Sequence, residues 1–351
     1  MNFTTPYLPV YQSNITLGSP AQSFEMILDT GSNFITVPSI ACKQGQSCEY
    51  QKQYNHTESS TYCANGTEFS LSYGGGDVNG FLSGDQVTFS GITVPGCQQQ
   101  FLEVETEASS LMEETFWQGT LGLAFQNLYP NAPVPLVRTM NDLGLLPEPQ
   151  FSLYFDNPAK PPEDPSVSGQ LRLGWDDGDE WTDVSVVPLV YPGFLNPTFG
   201  LWAFELDDIL VDGTSLGLCE KNYCWAYVDS GGPLVNLPYR VALAALRVGG
   251  PIRIDPACEN LNDNPSITFV ISGVEFTFEG EDYSYRVPIP AGAASQFETD
   301  EFCELAIGTL PSTAGELGVQ FGDPFLLKFA SKFVFGDTPT ISFRPNPLYS
   351  S

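Results

Sequence analysis

The stretch ILDTGS, Ile27 to Ser32, runs two apolar residues into an aspartate, then a hydroxyl residue and a glycine. Taken once, Asp and Gly at the end of an apolar run mark an ordinary turn. The chain writes the pattern a second time as YVDSGG, Tyr227 to Gly232. The distance to the next landmark is repeated as well. Gly122, in TLGLAF, follows Asp29 by 93 residues, and Gly322, in VQFGDPF, follows Asp229 by 93. A doubled motif with a doubled spacing reads as an internal duplication. Each half is then one lobe carrying its aspartate at a strand end near the interface, so that two lobes face each other and two aspartates meet.

The remaining composition fits two lobes built of strands. A chain of 351 residues exceeds what one hydrophobic core usually serves. Charged residues make up only 16%, while Gly and Pro number 33 and 29, a turn-rich balance that favours short strands over long helices. Strand signals recur in YQSNITLGS, SFEMILDT, EFSLSYGG and DQVTFSGITV, and FSLYF (Phe151–Phe155) reads as another. The second half offers QLRLGW, WAFELDDILVDG, CWAYVDSGG, ITFVISGVEFTFEG and KFVFGDTPTISFRP. VPLVRTMNDLG, Val134 to Gly144, carries apolar residues at helical spacing and ends in Gly, so it predicts a helix. VALAALRV, Val241–Val248, is too short to span a membrane and reads as part of a lobe helix. The Pro-rich segment Asp156–Gly169 is the linker candidate. The expected organisation is an N-terminal lobe over 1–155, a linker over 156–170 and a C-terminal lobe over 171–351.

Charge excludes some partners. Acidic residues number 42 against 13 basic ones, for a net charge of −29. Nucleic acids and anionic membrane surfaces need a basic face, which this chain lacks. Crowded carboxylates repel one another at neutral pH, so the protein is expected to tolerate acid and to weaken as pH rises. The N-terminus, MNFTTPYLPV, lacks the basic start and apolar core of a signal peptide. Met1 is read as a start added to a processed chain, with any signal or pro-segment missing.

Eight cysteines and a single histidine, His56, favour disulfides over a metal site. Pairing in the order Cys42–Cys48, Cys63–Cys97, Cys219–Cys224 and Cys258–Cys303 is the expectation, although eight cysteines admit about a hundred connectivities. Sequons at Asn2, Asn14, Asn55 and Asn65 agree with an oxidising, secretory compartment, and the one at Asn196 is blocked by Pro197.

Two facing aspartates have a definite chemistry. At about 3 Å both cannot easily ionise, so they share a proton. The charged member deprotonates a water as it attacks a peptide carbonyl, the neutral member protonates the carbonyl oxygen, and the roles then reverse to release the amine. No metal or cofactor is required. Thr30 and Ser230 suit a structural role as hydroxyls bonding across the lobe junction, and Gly31 and Gly231 let backbone approach the carboxylates.

These motifs resemble those of the pepsin-like aspartic endopeptidases over nearly the whole chain. ILDTGSNFITVPS is similar to the family's first catalytic motif and CWAYVDSGGPLVNLP to the second. LSYGGGDVNGFLSGD resembles the flap hairpin, with Tyr73, Gly74 and Gly75 at its tip. WQGTLGLAF, FSLYF and FGDPFLLKFASKFVF resemble later signatures. The resemblance implies a mainly β, bilobal fold with an interlobe cleft and a monomeric enzyme. It implies Asp29 and Asp229 as the catalytic pair, with Thr30, Gly31, Ser32, Ser230, Gly231 and Gly232 supporting the loops. It also implies Tyr73 as the residue capping the substrate, and a side-chain pocket lined by Ile27, Leu111, Trp117 and Thr120. Cys42–Cys48, Cys219–Cys224 and Cys258–Cys303 are bridges of the family type, and Cys63–Cys97 is an addition. Protein or peptide substrates cut between bulky apolar residues, inhibition by pepstatin-like compounds, and a secreted, vacuolar or lysosomal setting follow from the same resemblance.

Three positions depart from the family pattern. Gly232 stands where Thr or Ser usually donates a hydrogen bond to the second aspartate, so the pH optimum is expected to rise and Gly232→Thr to lower it. Thr36 replaces a tryptophan that bonds the flap tyrosine, and Gln118 replaces a common aspartate. Gly232 and Thr36 keep open the alternative of a catalytically weak or inactive peptide-binding protein of the same fold. Other chemistries fit less well. GGGDVNG lacks the Lys-Ser/Thr of a phosphate loop, DDGDEWTD lacks calcium-loop spacing, and a serine triad would have to rest on His56.

Overall fold

The computed structural model describes residues 11–43, 46–73, 76–107, 118–156, 169–176, 180–189, 196–250, 252, 259–288, 301–310 and 316–349. It is mainly β, and the chain divides into two compact units. One comprises residues 1–6, 10–149 and 189–201, and the other residues 7–9, 150–188 and 202–351.

The first unit is built on a seven-stranded sheet. In spatial order its strands are Gln12–Leu17, Gln22–Asp29, Thr120–Gly122, Ile35–Pro38, Ile92–Glu107, Gly76–Phe89 and Cys63–Tyr73, and Gln12–Leu17 pairs in addition with Gly76–Phe89. Alternation sends Ile15, Leu17, Phe24, Met26 and Val37 inward, all fully buried. The predicted helix is present as Leu136–Asp142. It starts after Pro135, whose fixed φ suits a helix entry, and buries Leu136, Val137 and Met140.

In the second unit, a five-stranded sheet runs Thr182–Ser185, Thr340–Pro345, Phe329–Val334, Gln150–Phe155, Gly169–Leu173. A second runs Ala203–Glu205, Tyr223–Val228, Glu316–Phe321, Val235–Pro238, Ile307–Leu310. Four strands form a third sheet, Thr214–Ser215, Asp208–Val211, Ile267–Ile271 and Val274–Phe278, and Ser284–Pro288 pairs with Glu301–Leu305. Aromatic rings fill the core, with Phe321 stacked on Phe325 at 4.2 Å between centroids and Phe343 edge-on to Phe325. VALAALRV lies in the helix Tyr239–Val248, which buries Val241.

Two details differ from the sequence reading. Strand Gln150–Phe155, assigned there to the N-terminal lobe, belongs to the second unit, because its edges pair with Phe329–Val334 and Gly169–Leu173. Four runs read as strand signals, DQVTFSGITV, WAFELDDILVDG, ITFVISGVEFTFEG and KFVFGDTPTISFRP, are each divided between two strands. Ser90-Gly91, Asp212-Gly213 and Ser272-Gly273 all take positive φ, the pattern of a tight two-residue turn whose twist matches that of paired strands.

Disulfides join Cys42 to Cys48, Cys63 to Cys97 and Cys219 to Cys224. Cys303 is also disulfide-bonded, and its expected partner Cys258 lies outside the described residues. No helix among the described residues is long and apolar enough to cross a membrane.

Candidate active site

The duplication read from the sequence is repeated in the hydrogen-bond ladders. Strand Gln22–Asp29 pairs in parallel with Thr120–Gly122, in register Asp29 to Gly122, and Thr120–Gly122 pairs antiparallel with Ile35–Pro38. In the second unit Tyr223–Val228 pairs in parallel with Glu316–Phe321, which pairs antiparallel with Val235–Pro238. Asp29 therefore ends, and Asp229 directly follows, the first strand of a three-strand crossing. The strand after Gly122 passes hard against the first loop: a Cβ on Gly122 would stand 2.3 Å from the backbone N of Phe34. One on Gly322 would stand 2.1 Å from the carbonyl oxygen of Gly232. Only glycine permits either approach. The fourth residue of each motif then accepts a bond from the chain just past the glycine, Ala124 N–H donating to Ser32 O at 2.8 Å and Asp323 N–H to Gly232 O at 2.9 Å.

The carboxyl groups are oriented alike within their own units. Oδ1 of Asp29 accepts the Gly31 N–H at 2.8 Å, and Oδ2 accepts the Ser32 hydroxyl in a short bond. For Asp229, Oδ1 accepts the Gly231 N–H at 3.1 Å, and Oδ2 accepts Nε2 of Gln320 at 2.5 Å. Two donors per carboxylate favour its charged form and fix its plane. Asp29 is buried and Asp229 half-buried. Thr30 and Ser230 are buried as well.

The expectation that Asp229 lacks a side-chain donor is thereby corrected. Gly232 carries no hydroxyl, but the Gln320 amide reaches the same carboxylate oxygen from the neighbouring strand.

Tyr73 ends strand Cys63–Tyr73, paired with Gly76, and packs against a cluster that includes Phe34, Leu71 and Val104. Its hydroxyl is buried and close to Ser32 and Thr36 without reaching either in hydrogen-bonding geometry. Burial, then the Asp29 charge, hold the phenol above its ordinary range, and the two hydroxyl neighbours oppose this. Burial and Asp29 also raise Tyr129, whose hydroxyl bonds the Ser72 carbonyl at 3.4 Å. Thr36, in place of a tryptophan, turns its oxygen to the backbone and accepts the Thr120 N–H at 3.2 Å. Gln118 has a backbone role, its side-chain oxygen accepting the Glu25 N–H at 3.1 Å.

Of the pocket candidates, Ile27 and Thr120 sit side by side in register on paired strands, both at least nine-tenths buried. Leu111, Trp117, Gly74, Gly75 and Asn2 lie outside the described residues. Gln320, Asp323 and Tyr129 escaped the sequence reading. Asp323 is buried with Oδ1 unpartnered, and burial, then Asp229, push its carboxyl well above the usual range. A polar residue between buried Val319 and Phe321, opposite a motif missing its hydroxyl, was the available signal for Gln320.

Comparison with known proteins agrees with this geometry. Residues 10–344 match the model of the eukaryotic aspartyl protease family. Cathepsin D of Dictyostelium discoideum is 31% identical over 342 residues, covering 93% of this chain and 81% of that protein. Cathepsin E of Oryctolagus cuniculus is 32% identical over 329 residues, 92% of this chain and 77% of its own length. Gastricsin of Homo sapiens is 31% identical over 335 residues, 93% of this chain and 79% of that one. The chain belongs to the eukaryotic aspartyl protease family and is a pepsin-like aspartic endopeptidase.

Proposed function

We propose that the chain hydrolyses peptide bonds flanked by bulky apolar residues, under acidic conditions, with a water activated by Asp29 and Asp229 as a proton-sharing pair. The charged carboxylate takes a proton from the water, and the neutral one gives its proton to the carbonyl oxygen of the substrate. The collapse of the tetrahedral species then returns a proton to the leaving amine. Tyr73 closes over the substrate from the flap, and Ile27 and Thr120 line the side-chain pocket. The enzyme works as a monomer, in a secretory or lysosome-like lumen, where oxidised cysteines and glycosylated asparagines are at home.

The observation that carries this reading is the matched pair of donors on each aspartate, a glycine N–H on one oxygen and a side-chain donor on the other. Its test is cleavage of denatured haemoglobin or casein from about pH 2 to about pH 7, with and without pepstatin, beside Asp29→Asn. Pepstatin-sensitive cleavage that vanishes in the variant supports the paired mechanism. A folded protein that cleaves nothing at any pH is instead a peptide-binding member of the fold.

A further inference from the structure

We propose that Gln320 is a positioning residue that does for Asp229 what the Ser32 hydroxyl does for Asp29, and that Gly232 lacks a side chain in order to admit it. The proposal rests on the reading of Asp229 as a reacting carboxylate.

The two halves of the chain solve one problem in two ways. Strand register places Thr36 opposite Thr120 in the first unit and Asn236 opposite Gln320 in the second. These are corresponding positions, because each pair stands at the same distances from its own aspartate. In the first unit the pair is short and closes on itself, Thr120 N–H to Thr36 Oγ1 at 3.2 Å, and Ser32 donates to Asp29 from within the loop. In the second unit both members are long. Gln320 extends from its strand to Asp229 Oδ2, 2.5 Å from Nε2.

Three features make this arrangement specific. First, Asn236 Nδ2 donates to Gln320 Oε1 at 2.8 Å. That bond occupies the amide oxygen and leaves the NH2 group facing the carboxylate, which settles the orientation of the amide. Second, a Cβ on Gly308, the strand partner of Asn236, would stand 2.0 Å from Asn236 Oδ1, so a glycine there makes room for the supporting amide. Third, a Cβ on Gly232 would stand 2.6 Å from Gln320 Nε2 and 3.3 Å from Asp229 Oδ2. A side chain at 232 and the amide of 320 therefore compete for one place beside the carboxylate. Hydroxyl at 232 and amide at 320 are alternatives, and this chain uses the amide.

The substitutions Gln320→Leu, Asn236→Leu, Gly232→Thr and the double change Gly232→Thr with Gln320→Leu test this through the pH profile of kcat/KM. Loss of a donor to the charged carboxylate moves the acidic limb of the profile upward, by roughly one pH unit for Gln320→Leu and less for Asn236→Leu. Gly232→Thr alone, with Gln320 still present, loses about fivefold or more in kcat/KM through overcrowding. The double change regains most of that loss and returns the limb towards the parent value, a non-additivity expected of side chains that share one site. An unmoved limb in Gln320→Leu, or a cost-free Gly232→Thr, overturns the proposal. The 13C titration of the Asp229 side-chain carboxyl in the parent and in Gln320→Leu gives the same answer without turnover. A midpoint that rises supports the proposal even if the parent cleaves no peptide, and one that stays put overturns it even if the parent is active.

Discussion

The backbone N–H of Asp323 donates to the carbonyl of Gly232 at 2.9 Å, and this bond ties a buried carboxyl to the loop that carries Asp229. The Asp323 side chain accordingly holds its proton, pushed up by burial and by the Asp229 charge. A carboxyl whose folded-state pKa lies above its unfolded value stabilises the fold at acid pH. That contribution disappears as pH rises through the raised value. Melting temperature is therefore expected to fall between about pH 4 and about pH 8, and to fall less steeply in Asp323→Asn, which keeps the shape and cannot ionise. Parallel slopes in the two proteins would remove Asp323 from the account of acid tolerance.

Tyr73 separates stability from activity. Its hydroxyl is buried without a hydrogen-bond partner, so it contributes desolvation cost and little else to the resting fold. Tyr73→Phe should leave the melting temperature unchanged or slightly raised, while kcat/KM falls by about tenfold or more, since the hydroxyl's partners are supplied only when substrate is in place. Calorimetry and a peptide assay on the same preparation give both numbers, and a matched loss of stability and activity would contradict this division.

How much of this was legible in the sequence depends on the range of the interaction. The Asp29 and Asp229 loops were readable because their donors Gly31, Ser32 and Gly231 lie within three residues of the carboxyl they serve. Gly122 and Gly322 showed through a repeated spacing, although their close approach to backbone is a tertiary fact. Gln320 did not show, because its partner lies 91 residues away, and a polar residue between buried Val319 and Phe321 does not by itself say which group it serves. The missing hydroxyl at Gly232 therefore read as a loss, when it is half of a substitution. Strand Gln150–Phe155 was recognised as a strand and assigned to the wrong half, because strand signals carry no record of which edge will pair with them.

Glu103 anchors a second polar group in the first unit, away from the aspartate loop. It is fully buried and accepts the Ser39 and Ser83 hydroxyls at 2.6 Å each, with His56 Nδ1 2.9 Å from Oε2. Glu103→Leu removes the acceptor of both hydroxyls in a closed interior, leaving Ser83 Oγ only the Tyr62 hydroxyl at 3.2 Å and Ser39 Oγ only the Ala41 N–H at 3.1 Å. It should cost on the order of 3 kcal/mol, read as a shift of the urea midpoint at unchanged slope. Glu103→Gln keeps an acceptor and should recover part of the loss; equal losses in the two variants would show that the negative charge, not a neutral acceptor, sets the cost.

The crossing at Gly122 has a sharper expectation. An added methyl would meet the backbone of Asn33 and Phe34 at 2.3 to 2.7 Å, and backbone there cannot retreat without breaking the Phe34 O to Gly122 N–H bond of 2.8 Å. Gly122→Ala should abolish activity and destabilise the protein by roughly 3 kcal/mol or more. Gly66→Ala is the comparison, since Gly66 has φ +75° and a methyl added there would meet no atom within 4 Å. It should cost only about 1 kcal/mol of backbone strain and leave activity intact. A mild Gly122→Ala would mean that the loop can rearrange.

The sequons are not equivalent once their side chains are placed. Asn65 is exposed at the register irregularity of strand Cys63–Tyr73, its Oδ1 accepting the Thr67 N–H at 3.2 Å and hydroxyl at 2.6 Å, which leaves the amide nitrogen directed away from these bonds. Asn55 makes the same pair of bonds with Thr57, but its Nδ2 donates to Glu58 Oε1 at 2.8 Å and the residue is half-buried. Attachment of a glycan at Asn55 must break that donation and clear the neighbouring chain. On expression through a eukaryotic secretory pathway, peptide mapping should find Asn65 modified in most molecules and Asn55 in fewer. Glu58→Ala should raise occupancy at Asn55 by freeing its nitrogen. Occupancy at Asn55 that equals Asn65 in the parent, and does not respond to Glu58→Ala, would show that the bond to Glu58 does not restrain modification.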